Sequence, residues 1–160
     1  MNILIYQISK LLPENKAHAH CDIPCGIYDP HMAQMAAHTV LRMTQLLTQI
    51  KGESLESQHT IARVTDVKEE HGELVEDELG TLENDYFKEE HFENFPKLKE
   101  LISKAVKLSI TTRQNIDENS AKDLVESVLQ ISEIFFKTKG ATPVRVKSVY
   151  PTEGEIVTHK

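Results

Sequence analysis

The chain has 160 residues and a formal net charge of −7, because 18 Lys+Arg stand against 25 Asp+Glu. Hydrophobic residues make up 39 % and charged residues 27 %, which is typical of a globular domain and excludes a disordered or collagen-like chain. The acidic balance disfavours nucleic-acid binding, which needs a basic face, and no apolar run approaches the roughly 20 residues of a membrane span. We therefore expect neither nucleic acid nor a membrane as a partner.

Residues 1–19 form a candidate leader that is removed from the mature protein. The segment ends in Ala17-His18-Ala19, a small-x-small pattern of the kind that export peptidases cut. A secretory signal also needs a basic start and roughly 7–15 apolar residues, whereas here the first lysine is Lys10 and Gln7 interrupts the apolar run. Cleavage by a dedicated cytoplasmic protease is the favoured prediction, and export is the alternative.

The middle of the chain predicts an all-α fold. Four segments repeat apolar residues at helical spacing, and Asp29-Pro30 is a good start for the first of them. The predicted helices lie at about residues 29–52, 55–86, 96–112 and 117–140. Their short connections predict an up-down-up-down four-helix bundle. Met32, Met35 and Met43 are interpreted as core residues of the first helix.

The last residues differ from the rest of the chain. Residues 143–147 alternate apolar and polar side chains, which predicts an extended, strand-like arm. Pro151 and Gly154 disfavour a helix there. The predicted organisation is thus a leader at 1–19, a metal hook with the helical bundle at 20–140, and an arm at 141–160.

The residues best suited to chemistry lie in one segment, which we call the hook: HCDIPCGIYDP at residues 20–30. Two cysteines four residues apart are by themselves compatible with a loose zinc half-site, a redox pair or chance. Pro24 restricts the backbone between the thiols, and Gly26 permits a conformation that other residues resist. A helix starting at once after the hook would tether it, so the segment can place two thiolates on one metal ion.

The hook resembles the signature of the nickel superoxide dismutase family, H-C-x-x-P-C-G-x-Y-D-P at the mature N-terminus, at every fixed position. Blocks at residues 85–88, 91–93 and 131–136 also resemble the family, and the similarity runs from about residue 17 to 139. The resemblance implies a four-helix bundle assembled as a homohexamer. It also implies one nickel ion per chain, which disproportionates superoxide to dioxygen and hydrogen peroxide through Ni(III)/Ni(II) cycling.

The resemblance further implies the nickel ligands. They are the thiolates of Cys21 and Cys25, the α-amine and axial imidazole of His20, and the backbone amide nitrogen of Cys21. Thiolates are electron-rich donors, which suits a metal that must reach Ni(III). In the uncleaved chain the nitrogen of His20 belongs to a peptide bond, so the leader withholds a ligand until a protease removes it.

Other site residues are expected around these ligands. Tyr28 could gate the open axial position or donate a hydrogen bond to a bound anion, or it could simply pack on the bundle. Tyr86 and Lys88 match positions that line the substrate approach in the family, although Lys88 taken alone is an ordinary surface lysine. Asp22 is expected to hold the shape of the hook through hydrogen bonds to backbone amides.

Two positions depart from the family pattern. The Glu and the Arg that orient the axial histidine in well-known members fall on Ala36 and His71 here, so the orientation of His20 is an open question. The other histidines, including His38, are interpreted as surface or core side chains. A non-enzymatic nickel or zinc storage or delivery protein is the alternative function.

Overall fold

The computed structural model describes residues 25–160. Five α-helices, a π-helical turn and a β-hairpin follow one another along this part of the chain. They are α1 (His31–Gln49), α2 (Leu55–Thr81), the π turn (Leu82–Tyr86), α3 (Glu89–Asn94), α4 (Leu98–Gln114), α5 (Glu118–Thr138), β1 (Pro143–Lys147) and β2 (Glu155–His159). The predicted all-α bundle is confirmed, with α1, α2, α4 and α5 as its long helices.

Three of the long helices, α1, α2 and α5, begin close to where the sequence predicts them, because local side chains bind their first backbone N–H groups. The carboxylate of Asp29 accepts a hydrogen bond of 2.7 Å from the backbone N–H of His31. Ser54 accepts one from Ser57 at the start of α2. Asp117 accepts one from Asn119 at the start of α5.

The core lies inside a ring of four helices. Helix α1 packs against α2 and α5, and α4 packs against the same two helices from the other side. Fully buried aliphatic and aromatic side chains from all four fill the interior: Val40, Val75, Leu79, Leu98, Ile102, Leu124, Ile131 and Phe135. Each such side chain stabilises the fold by about 1.5–3 kcal/mol relative to an exposed one.

The prediction for the methionines of α1 is wrong in part. Met32 is 48 % exposed and Met35 is 42 % exposed. The helix instead turns a face of alanines and Val40 towards the core, and the small side chains of Ala33 and Ala37 are completely buried. The apolar residues of α1 cover more of its circumference than one stripe, so their spacing alone did not show which side faces inward.

The second predicted helix is shorter and more irregular than expected. It changes to a π turn after Thr81, where Phe87 donates its backbone N–H to Leu82, and the short helix α3 that follows was not predicted. Gly72 marks a close helix crossing, because a Cβ there would lie 2.6 Å from side-chain carbons of Arg113. Ser109 also donates a hydrogen bond of 2.8 Å to the carbonyl of Gly72.

The predicted extended arm is one half of an antiparallel hairpin in which Arg145 pairs with Val157. The hairpin packs against α5, where Arg145 donates hydrogen bonds to Glu126 and Glu133. It also reaches α1, because the buried amide of Gln34 bonds both backbone groups of Val157. Within the part that the structure describes, no helix combines the length and apolar character needed to cross a membrane.

The hairpin also covers His38, which is 3 % exposed. Its Nδ1 lies 2.8 Å from the hydroxyl of Thr152, and its Nε2 lies 2.9 Å from the carbonyl of Glu155. Gly154 passes over the ring so closely that a Cβ would lie 2.7 Å from Cε1 of His38. His38 is therefore a core histidine, in agreement with one of the two interpretations made from the sequence.

Candidate metal centre

The structure describes the second half of the hook, from Cys25 onward. Cys25 is exposed, and Gly26 has a φ of +71°, a left-handed conformation that glycine adopts without a steric penalty. A Cβ on Gly26 would meet nothing within 4 Å, so this glycine is needed for its backbone angle rather than for space. Cys25 is thereby joined to the rigid start of α1 through only a few residues.

The remaining predicted ligands lie outside the described residues: His20 and Cys21, together with Asp22 and the whole candidate leader 1–19. Within residues 25–160, no three His, Cys, Asp or Glu side chains form a group that could hold a metal ion. The other ligands of a metal at Cys25 are predicted to come from the residues that precede it. The hook prediction assigns that task to His20 and Cys21.

Two of the predicted site residues, Tyr28 of the hook and Tyr86, are brought together in the fold. The rings of Tyr28 and Tyr86 lie with their centroids 5.4 Å apart, although 58 positions of sequence separate the two residues. Tyr28 is half-buried and packs against the edge of the hydrophobic core. The packing role considered for Tyr28 is thus present, and it fixes the ring close to the hook. Its role as a gate stays a prediction.

Tyr86 is positioned by its place at the end of the π turn. Its ring lies 4.7 Å from that of Phe135 and stacks on His91, and its hydroxyl lies 2.7 Å from the hydroxyl of Thr138. Burial raises the pKa of the Tyr86 phenol, and the hydrogen bond with Thr138 only partly opposes this. The phenol therefore keeps its proton at neutral pH, and because the Thr138 hydroxyl donates to the carbonyl of Phe135, Tyr86 donates this proton to Thr138. A π turn that carries a site residue is a recurring arrangement in proteins.

Lys88 lies close to Tyr86 in the chain but bends back towards the π turn. Its ammonium donates a hydrogen bond of 2.9 Å to the carbonyl of Asp85, and the residue is exposed. The family-derived role of Lys88 on the substrate approach stays a prediction.

A second lysine, which the sequence analysis did not single out, lies nearer to the hook. The Nζ atom of Lys139 lies 4.6 Å from the centroid of the Tyr86 ring and 3.5 Å from the carbonyl oxygen of Gly26. Lys139 caps the end of α5, just beyond the 131–136 block that resembles the family. Only the folded bundle brings this position to the hook, so no local pattern in the sequence could have identified it.

The two positions that depart from the family pattern have ordinary structural roles in the described fold. Ala36 is 1 % exposed and belongs to the core. The Nδ1 atom of His71 lies 2.8 Å from the carbonyl of Val67, one turn earlier in the same helix. Ala36 has no polar side-chain atom with which to orient a ligand, and the imidazole of His71 is engaged by its own helix.

The hook and the bundle match a known family. The model of nickel-containing superoxide dismutases matches residues 15–139. The nickel superoxide dismutase of Streptomyces seoulensis is 36 % identical over 129 residues, which cover 81 % of this chain and 95 % of that protein. The enzyme of Streptomyces coelicolor is 33 % identical over the same lengths.

Solved structures agree with these relatives. A nickel-containing superoxide dismutase with the ligation of the oxidised state superimposes with a TM-score of 0.68 at 35 % identity, over 76 % of this chain and all of that chain. A native nickel superoxide dismutase superimposes with a TM-score of 0.67 at 32 % identity, over 75 % of this chain and 99 % of the other. The family match ends at residue 139, so the C-terminal hairpin follows the matched region.

Proposed function

The chain belongs to the nickel-containing superoxide dismutase family, and we propose that His20, Cys21 and Cys25 hold its nickel, one ion per chain. The protein is a superoxide dismutase, an oxidoreductase that converts superoxide to dioxygen and hydrogen peroxide. The observation that carries the site assignment is the position of Cys25. It is exposed, lies three positions before Tyr28, and is joined to the start of α1 at His31 through residues 26–30. The comparisons do not support the alternative of a storage or delivery protein.

The donor set proposed for the site fits nickel. Two thiolates from Cys21 and Cys25 are soft, electron-rich ligands, and the imidazole and amine of His20 add nitrogen donors. When bound, nickel supplies one-electron redox chemistry by alternating between Ni(II) and Ni(III). The small number of residues between the two cysteines, with Pro24 among them, lets both thiolates converge on one point.

The side chains next to the proposed nickel site suit a small anionic substrate. Tyr28 and Tyr86 form a wall of aromatic rings beside the hook. Because its pKa is raised, Tyr86 holds its phenolic proton, and its contact with Thr138 fixes the position of the oxygen. In this proposal the packed rings keep larger reductants away from the thiolates and leave access for a small oxyanion.

Proteolytic processing completes the ligand set in this proposal. Removal of residues 1–19 by a protease converts the amide nitrogen of His20 into an α-amine, whose ordinary pKa is about 7.7–8.0. Such an amine is partly unprotonated at neutral pH and can donate its lone pair, which a peptide nitrogen cannot do in its usual state. We place processing and activity in the cytoplasm, because residues 1–19 lack the basic start and long apolar run of a secretory signal.

A homohexamer is proposed as the working assembly. Helix α2 carries two exposed apolar side chains, Leu55 at 78 % and Ile61 at 40 % exposed, which we assign to contacts between chains.

The site assignment is tested with Cys21→Ser and Cys25→Ser. Each variant should lose nickel–thiolate absorption and superoxide decay, while circular dichroism should show an unchanged helical fold, because neither cysteine belongs to the predicted apolar stripes of the helices. His31→Asn is the matched control, since His31 is exposed on the first turn of α1 and has no proposed role at the metal. Near-normal turnover with nickel bound in either cysteine variant would refute the ligand assignment.

A further inference from the structure

One ammonium group connects the hook, the aromatic wall and the end of the bundle. The Nζ atom of Lys139 lies 3.5 Å from the carbonyl of Gly26, the residue directly after Cys25. The same atom lies 4.6 Å from the centroid of Tyr86 and 5.7 Å from that of Phe135. A lysine over an aromatic face is attracted to the ring by about 0.5–1 kcal/mol at an exposed site. These contacts hold the ammonium close to Cys25.

The charge of this ammonium remains available to an incoming anion. A carbonyl oxygen and two ring faces solvate the cation but do not neutralise it, because none of them carries a net charge. Lys139 is also exposed, so water and small ions reach it. Superoxide is an anion, and it approaches a chain whose net charge is −7. A local positive group beside the site can therefore raise the encounter rate that the overall charge lowers.

We propose that Lys139 is a positioning residue of the dismutase reaction, which holds the carbonyl of Gly26 and draws superoxide towards Cys25. This proposal rests on the nickel site proposed above. It assigns to Lys139 the attraction that the sequence analysis assigned to Lys88, because the ammonium of Lys139 contacts a hook residue whereas that of Lys88 contacts the carbonyl of Asp85. Because the ammonium has both roles, its removal should loosen the hook and slow the encounter with substrate.

The test compares the nickel-loaded protein that begins at His20 with four variants of it, one of which, Lys88→Gln, removes the other candidate ammonium. Lys139→Gln removes the charge and Lys139→Arg keeps it. Lys137→Gln is the matched control, since it removes an exposed lysine two positions earlier on the same helix. Pulse radiolysis gives the second-order rate constant for superoxide decay at several salt concentrations. The rate of nickel release to a chelator gives a readout that does not depend on turnover.

Lys139→Gln should lower the rate constant about threefold at low salt, the size expected from one unit charge acting through a watery surface. The difference should shrink as the ionic strength rises, because salt screens the charge. Nickel should leave Lys139→Gln several times faster than the wild type. Lys139→Arg should retain the rate constant and its salt dependence, and Lys137→Gln should match the wild type in both measurements.

The proposal is overturned if Lys139→Gln and Lys137→Gln have the same rate constants and nickel release. It is also overturned if only one of the two measurements changes, because one ammonium is assigned both effects. If the rate constant for superoxide decay falls further in Lys88→Gln than in Lys139→Gln, the proposal is also overturned and Lys88 is the residue that attracts superoxide. Wild-type protein that neither holds nickel nor consumes superoxide would refute the proposed nickel site itself, a result that is recognisable because it does not involve position 139.

Discussion

Replacing Gln34 by Leu should destabilise the protein, because this buried side chain joins the C-terminal hairpin to the bundle. The Gln34 amide accepts a hydrogen bond of 2.7 Å from the backbone N–H of Val157 and donates one of 3.1 Å to its carbonyl. Leucine has a similar size but can satisfy neither group. Each unpaired buried group costs about 1–3 kcal/mol. Burial of the new apolar side chain offsets part of this, which leaves a loss of about 2 kcal/mol.

A chain of this size loses about 2–4 °C in melting temperature for each kcal/mol, so Gln34→Leu should melt about 4–8 °C below the wild type. Calorimetry measures the shift, and hydrogen exchange at the amide of Val157 shows whether the loss is local to the hairpin. Gln49→Leu is the control, because Gln49 is exposed at the end of the same helix. Equal melting temperatures for the two variants would refute the claim that the Gln34 amide secures the hairpin.

Three further predictions concern processing, assembly and pH. Nickel-loaded chains that begin at Met1, Ala19, His20 and Cys21 should differ in activity, and only the chain that begins at His20 should consume superoxide. Equal activity of the chains that begin at Ala19 and His20 would refute the proposal that the α-amine of His20 binds nickel. Sedimentation of the processed protein should show about six chains per particle, and a stable monomer at micromolar concentration would contradict the hexamer. Burial lowers the pKa of His38 below its usual 6.5, and the carbonyl of Glu155 only partly opposes this. The unfolded chain then takes up more protons between the two pKa values, so the free energy of unfolding should fall as the pH drops below 6.5. Urea unfolding should show a weaker pH dependence for His38→Gln, and an identical one would exclude His38 as the cause.

The features that were predictable from the sequence depend on near neighbours. Helix starts at Asp29 and Asp117 are local, because a side chain binds backbone groups two residues away. The hook signature is local as well, since its spacing sets where the thiols can meet. The wrong assignment of Met32 and Met35 has a different origin, because the direction in which a helix faces is decided by its partners.

The features that were missed depend on distant residues. Lys139 and Gly26, which are in contact, lie 113 positions apart, and no periodic pattern in the sequence indicates such a contact. The π turn before Phe87 interrupts an apolar pattern that continues through it, so spacing alone predicted an unbroken helix. Residues 143–147 were predicted to be extended, but strand β2, which pairs with them, was not predicted from the sequence.

The link between Gln34 and Val157 has a consequence for the order in which the chain folds during synthesis. These residues are 123 positions apart, so helix α1 leaves the ribosome long before the strand that satisfies its buried amide. Until the last residues emerge, Gln34 and His38 lie on a helix whose inward face has no complete set of partners. Contacts this far apart in sequence form late and slow the final folding step. The helix that follows the hook therefore reaches its final surroundings only when synthesis is finished, and a chain that stops short of the hairpin would leave Gln34 and His38 without these partners.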